Sequence, residues 1–173
     1  DVLGNLTQVT HPASAGTTTL TYDMGGRKTS MSDPDLGAWS YSYDRQGKLT
    51  KQIDARNKTI CLYYDTLQRL VGKHFPSTAT CPTPGGYAVS YGYDENHGAT
   101  NRSLGQLTSV WNSGVYPKRL YHDGQGLLER EEMTIVGNAT TYTTRYVYDT
   151  YARLSVLKYP DNSYVKQTYN SMG

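Results

Sequence analysis

Carboxylates at regular intervals are the residues in this chain whose chemistry first asks for an explanation. Asp1, Asp23, Asp44, Asp65, Asp94, Asp123 and Asp149, with Asn170 in the same phase, recur in steps of roughly 21 to 29 residues along the 173-residue chain. General acid and base catalysis needs two such groups converging on one cleft. These instead keep company with a second series, Gly4, Gly26, Gly47, Gly105, Gly126 and Gly173, with Gln68 and Ala152 in the glycine slot of two copies. In an Asp-x-x-Gly unit the carboxylate suits the first position of a type I turn, where it accepts a backbone N–H two residues on. Glycine suits the last position, where positive φ costs nothing. The spacing therefore predicts turn residues and not catalysts. Positive φ at Gln68 or Ala152 would cost about 1 to 2 kcal/mol each, so those two turns are expected to be of another type.

The remaining reactive side chains form no catalytic pattern. Cys61 and Cys81 are the two cysteines; a disulfide between them would close a loop of roughly 20 residues and add about 3 kcal/mol in an oxidising compartment. The alternative is two unpaired thiols, one in a strand and one in a loop. His11, His74, His97 and His122 have no metal-ligand spacing, and His122 stands where other copies of the motif have tyrosine. Asp33-Pro34-Asp35-Leu36-Gly37 lacks the third oxygen ligand and terminal glutamate of a calcium loop and reads as a proline-containing turn. No Gly-x-Ser-x-Gly, Cys-His pairing or phosphate loop is present. We therefore expect no enzyme, no metal and no cofactor. Asn5, Asn57, Asn101 and Asn138 fit the N-glycosylation acceptor pattern, which has meaning only in a secreted protein whose host glycosylates.

The elements that must carry these residues follow from the pattern around each turn. Before a turn comes a β-prone alternating stretch such as Trp39-Ser40-Tyr41-Ser42-Tyr43, and after it a second, such as Leu49-Thr50-Lys51-Gln52-Ile53. Period-two spacing puts Trp39, Tyr41 and Tyr43 on one face. One repeat is one hairpin, too weak alone and obliged to pair with its neighbours. The fold class expected is all-β: tandem hairpins of roughly 21 residues forming a coiled antiparallel sheet. Constant register should stack Tyr22, Tyr43, Tyr64, Tyr93, Tyr148 and Tyr169 into aromatic ladders. Leu127 to Met133 reads as strand. The array should run through residues 1–173 as one domain, cut mid-repeat at both ends. Surface-loop insertions are expected near 73–86, 95–103 and 131–141, where Gly, Pro, Thr, Asn or charge accumulate.

Composition narrows the partners. There are 17 tyrosines against one phenylalanine, so the aromatic surface should be half-wet, each hydroxyl needing a partner. Leu, Ile, Val and Phe are scarce, which predicts a folded but thinly cored chain. Net charge is +2 with no run of one sign, so nucleic acid is not indicated. No stretch approaches the roughly 18 apolar residues of a membrane span.

The stretch from Arg145 to Leu154, Arg-Tyr-Val-Tyr-Asp-Thr-Tyr-Ala-Arg-Leu, closely resembles the signature of the Rhs, or YD-repeat, family of bacterial Rhs proteins, toxin-complex C components and teneurins. Tyr22-Asp23 through Arg27, Tyr43-Asp44 through Leu49 and Tyr64-Asp65 through Leu70 match the same phrase. Weaker copies stand at Tyr93-Asp94, His122-Asp123 and Tyr169-Asn170. The resemblance implies a hairpin sheet that spirals into a shell, extracellular or on the cell surface, enclosing an effector in toxins or serving adhesion in teneurins. No Asp-Pro-x-Gly element of the self-cleaving Rhs end is present, and eight anchors are too few to close a shell. The expected function is a non-enzymatic wall segment or an end-to-end fibre unit. Its partners would be neighbouring repeats of the same or identical chains, and an enclosed effector. The alternative is a surface-glycan or adhesion module that uses exposed Tyr and Trp rows, Trp39 and Trp111 among them.

Overall fold

The computed structural model describes residues 1–12, 16–97, 103–112, 117–135, 137 and 140–170. The described chain is all-β, with no helix. It divides into two compact units, Asp1–Ala88 and Val89–Gly173. In the first unit, β1 (Gln8–Thr10), β2 (Thr17–Tyr22), β3 (Lys28–Asp33), β4 (Gly37–Tyr43), β5 (Leu49–Ile53), β6 (Thr59–Tyr64) and β7 (Leu70–His74) pair in chain order. The second holds β8 (Val89–Tyr93), β9 (Leu107–Asn112), β10 (Lys118–His122), β11 (Leu128–Thr134), β12 (Thr141–Tyr148), β13 (Leu154–Lys158) and β14 (Tyr164–Lys166), again in chain order. Pairing in each is antiparallel.

Local chemistry explains the register. In β4, Trp39, Tyr41 and Tyr43 are half-buried while Ala38, Ser40 and Ser42 are exposed, the alternation that period-two spacing dictates. A β-bulge falls directly before the motif aspartate in every YD hairpin, between Thr21 and Tyr22, Ser42 and Tyr43, Tyr63 and Tyr64, Gly92 and Tyr93, Tyr121 and His122, and Val147 and Tyr148. The bulge absorbs the extra residue of a three-residue loop that ends in positive φ.

The first of the three expected insertions is not a free surface loop, and the described residues of the second also lie against the sheet. Lys73 and His74 still belong to β7, and the segment that follows folds back over the sheet. There Cys81 is disulfide-bonded to Cys61, with Cα atoms 5.7 Å apart. The Tyr63 hydroxyl donates to Pro82 O at 2.7 Å, His74 Nε2 lies 2.9 Å from Gly85 O, and the rings of Tyr63, His74 and Tyr87 cluster at 5.2 to 5.5 Å. Gly72 lies beneath the Tyr87 ring, and a Cβ there would come within 2.3 Å of it. In the second unit, Glu95 and His97 lean onto β9: Thr108 Oγ1 donates to Glu95 Oε2 at 3.0 Å, and His97 Nε2 is 3.2 Å from Thr108 O. The third insertion is shorter than composition suggests, because 131–134 continue β11 and the connection occupies only 135–140.

The core is thin. Cys61 and Tyr121 are the buried apolar side chains among the described residues, and the fully buried ones are Thr59, Thr108 and Cys61. Both folded-back segments therefore do what a second layer does in a larger domain. Substitution Gly72→Ala should force the Tyr87 ring off the sheet and cost about 1 to 3 kcal/mol, read as a lower urea midpoint. Reduction of the Cys61–Cys81 bridge should lower it by a comparable amount, about 3 kcal/mol for a loop of this length. An unchanged midpoint in both experiments would mean that the segment does not stabilise the sheet.

Candidate functional site

The chemistry-bearing residues of the motif gather at the turns. Asp23 Oδ1 accepts the N–H of Gly25 at 2.9 Å and of Arg27 at 3.0 Å, while Gly26 N–H donates to Asp23 O at 3.0 Å and Asp23 N–H to Arg27 O at 3.0 Å. This is a type I turn closed by a residue of positive φ. The same bonds recur with small variations. Asp44 Oδ1 accepts from Lys48 N–H at 2.8 Å, Asp65 Oδ1 from Arg69 N–H at 2.8 Å, and Asp123 Oδ1 from Gln125 and Leu127 at 2.8 and 2.9 Å. Asp149 Oδ1 accepts from Tyr151 and Arg153 at 2.9 and 3.0 Å, and Asp1 Oδ1 from Leu3 and Asn5 at 2.9 Å. Asp94 reaches across the second insertion, accepting from Gly105 N–H at 2.7 Å, while its own N–H bonds Gln106 O at 3.2 Å.

The closing position has positive φ throughout: 82° at Gly4, 74° at Gly26, 87° at Gly47, 80° at Gly105 and 84° at Gly126. The change of turn type expected at Gln68 and Ala152 does not occur; they take the same conformation as the glycines, with φ of 69° and 60°. Each turn still makes its closing bond, Gln68 N–H to Asp65 O and Ala152 N–H to Asp149 O, both at 3.0 Å. The hydrogen bonds around one carboxylate offset the strain of a single residue. Two further turns of this kind escape the Tyr-Asp phrase. Asp54 closes on Asn57, with φ of 57°, and Tyr159 on Asn162, with φ of 69°. The signal was present in Asp54-x-x-Asn57, since asparagine tolerates positive φ nearly as glycine does.

Tyr22, Tyr43, Tyr64, Tyr148 and Tyr169 do not stack on one another. Each of these five instead bridges to the repeat before it. The hydroxyls of Tyr22, Tyr43, Tyr64, Tyr148 and Tyr169 donate to the carbonyls of Leu6, Lys28, Leu49, Leu128 and Leu154 at 2.8 to 3.0 Å. Their rings receive the preceding repeat's cation: Arg27 over Tyr43 at 5.1 Å, Lys48 over Tyr64 at 5.6 Å and Arg153 over Tyr169 at 4.3 Å. The cation also grips its own turn, since Arg27 Nε lies 2.6 Å from Asp23 Oδ2 and Arg153 Nε 2.8 Å from Asp149 Oδ2. Arg27 Nη1 then donates to Asp44 O at 3.0 Å, and Lys48 Nζ contacts the Gln68 side-chain oxygen. Sequence reasoning passed over this cation, although Arg27, Lys48, Arg69 and Arg153 each stand four residues after a motif aspartate.

Backbone N–H donation from Arg27 and Arg69 holds the carboxyls of Asp23 and Asp65 below the usual 3.8, against an opposing desolvation. The carboxylates are thus occupied acceptors, one per hairpin, and do not converge on a cleft. Among the described residues no three His, Cys, Asp or Glu side chains approach closely enough to hold a metal ion. Asn5 is engaged through its amide, which donates to Asp1 Oδ2 at 3.0 Å, whereas Asn57 is exposed at its turn. Asn101, Asn138 and Gly173 lie outside the described residues. Asn170 is exposed at the end of the described chain.

The sixth copy of the motif departs from the rest. His122, standing where other copies have tyrosine, is 6% exposed, and its Nδ1 is buried with no hydrogen-bond partner among the described residues. Leu127 replaces the cation. Tyr121 beside it is well held, its hydroxyl donating to Glu132 Oε2 at 2.6 Å under the Arg130 guanidinium, 3.9 Å from the ring centroid. Burial pushes His122 below its ordinary 6.5, with Asp123 pulling weakly the other way.

Two outcomes follow. Removing the Tyr43 hydroxyl by Tyr43→Phe should cost about 1 kcal/mol, because Lys28 O loses its donor; a shift under a third of that in the urea midpoint would sink the bridging role. For His122 the proton binds more tightly to the unfolded chain. Stability from the neutral ring is therefore present above 6.5 and is lost as pH falls through the lower folded value. The aspartate turns weaken only below their own ordinary 3.8. Urea unfolding at about pH 7.5 and about pH 5 should show this loss in the native chain and a smaller one in His122→Phe.

Residues 1–38 match the family model of the RHS Repeat. No curated protein sequence matches the chain. Among solved structures, a crystal structure of TcdB2-TccC3 superposes with a TM-score of 0.72 at 16% identity, over 88% of this chain and 8% of the other. The form of TcdB2-TccC3 without its hypervariable C-terminal region gives 0.69 at 15% over the same shares. The pore of a Photorhabdus luminescens Tc holotoxin gives 0.62 at 15%, over 88% of this chain and 10% of that one. The chain thus spans about a tenth or less of the structures it resembles. The sequence match at its start is to the RHS repeat, and the fold shared beyond it is that of these toxin-complex structures.

Proposed function

We propose that this chain is a non-enzymatic wall segment of an exported Rhs-type protein. The observation that carries the reading is the tie between successive hairpins: tyrosine hydroxyl to the preceding carbonyl, preceding cation onto the tyrosine ring. The motif's reactive groups are spent within the sheet, which leaves them to build a surface and not to transform a substrate. The disulfide favours an oxidising compartment and so supports export. Likeness to TcdB2-TccC3, one form of which lacks a hypervariable C-terminal region, supports an effector as the partner such a wall would enclose.

Growth into a fibre is the weaker reading. The outer strands β1 and β14 are three residues each, and short edges pair poorly. Rows of tyrosine as a glycan surface are likewise disfavoured, because several of the motif rings are already covered by a cation.

Electron microscopy and native mass spectrometry over a wide concentration range should give monodisperse particles of one mass. Concentration-dependent filaments would replace the wall with a polymer. Alkylation of thiols in the secreted fraction should find Cys61 and Cys81 protected; free thiols there would remove the support for export.

A further inference from the structure

The Cys61–Cys81 bridge sits among side chains that holding two segments together does not require. In the register of the first unit, Lys51 on β5 and His74 on β7 each lie directly opposite Cys61 on β6. Directly opposed residues project from the same face with Cβ atoms about 5 Å apart, so the Cys61 sulfur is flanked by an ammonium and an imidazole. The segment that covers it, residues 75–87, brings no carboxylate to that face. Neighbouring cations lower the pKa of a thiol and make it a better leaving group in thiol–disulfide exchange. Access is one-sided in the matching sense. Cys61 is 0% exposed, whereas Cys81 lines a surface cavity of about 490 Å³ together with Ser42, Lys51 and Tyr63. A thiolate entering that cavity meets the Cys81 sulfur and displaces the sulfur beside Lys51.

The covering segment has little else of comparable strength to hold it. Residues 75–87 contain no strand. Their noncovalent ties to the sheet are individually modest: the Tyr63 hydroxyl on Pro82 O, His74 Nε2 at Gly85 O, and the Tyr87 ring over Gly72. Such contacts do not by themselves offset the conformational entropy of a segment this long.

We propose that the bridge is a redox latch. Closed in an oxidising compartment, it pins residues 75–87 on the sheet; opened by a small thiol such as glutathione, it frees them while the strands stay paired. One reductant thiolate attacks Cys81 Sγ, the S–S bond breaks, and its electron pair leaves on Cys61 Sγ. A second thiolate attacks the reductant's sulfur in the mixed disulfide, which releases the Cys81 thiolate and the reductant's own disulfide. The two electrons come from the two reductant thiols, and their two protons end on Cys61 and Cys81. Opening uncovers Cys61 as a thiol between Lys51 and His74. The latch does not depend on the wall reading.

The test is incubation of the intact, undenatured chain with millimolar glutathione at neutral pH, with alkylation and mass spectrometry to count thiols and hydrogen exchange to follow each segment. Both cysteines should become alkylated and exchange in 75–87 should rise to that of an unstructured segment, while the strands of both units stay protected. Lys51→Gln should slow the reduction about tenfold, and Lys51→Arg should keep the native rate. Cys81→Ser, at a position that is not fully buried, should reproduce the fast exchange of 75–87 without any reductant. A bridge that yields only after denaturant is added overturns the latch. So does a global loss of protection on reduction, or a reduced chain whose residues 75–87 exchange as slowly as before. Reduction of folded Lys51→Gln at the native rate removes the role given to Lys51.

Discussion

The hydrogen bonds gathered by one carboxylate are the constraint on which the rest of this structure depends. In the best-formed turns the aspartate Oδ1 takes N–H groups two and four residues on, which fixes a three-residue loop with a left-handed final residue. That loop dictates a bulge before the aspartate, and the bulge sets the register of the strands on either side. With register fixed at each hairpin, the tyrosine before the aspartate arrives opposite the same carbonyl of the preceding repeat in five copies. Everything that ties repeat to repeat is therefore downstream of a local turn.

Such an architecture has little need of a core, and it has little. Only Cys61 and Tyr121 are buried apolar side chains among the described residues. Stability is distributed among polar bonds between neighbours, each modest alone. The two folded-back segments add burial where they land, both against the tyrosine or glycine two residues before a motif aspartate: Tyr63 and Tyr121, with Gly92 beneath Glu95. Gly72 and Gly92 lack side chains because ring or carboxylate occupies the space a Cβ would take.

The two ends of the strands in the first unit differ in how their side chains are used. Motif turns consume their carboxylates, cations and rings in mutual contact. At the far end Trp39, Gln52, Lys58 and Phe75 line an open groove whose residues do not recur from repeat to repeat. The separation has a simple origin, since a repeat constrains only the positions that must match its neighbours and leaves the intervening connections free to vary.

Much was legible in the residues before any coordinates. The Asp-x-x-Gly offset fixed the turns, and alternation in Trp39-Ser40-Tyr41-Ser42-Tyr43 fixed the strands and the shared face. Scarcity of Leu, Ile, Val and Phe announced the thin core. These are properties of period and local bonding, carried by neighbours in sequence. What tertiary structure decided depends on residues distant in the chain. The ring of a motif tyrosine such as Tyr43 meets a cation, because the bulge register brings Arg27 to it. Gln68 and Ala152 stay left-handed because the surrounding turn outweighs their preference. The first insertion lies on the sheet and not in solvent because Cys61, Tyr63 and Gly72 face it. Sequence by itself determined the repeating unit and its fold; only packing between units of the repeat decided which side chains each tyrosine, insertion and groove would find, since those partners are set by register and not by adjacency.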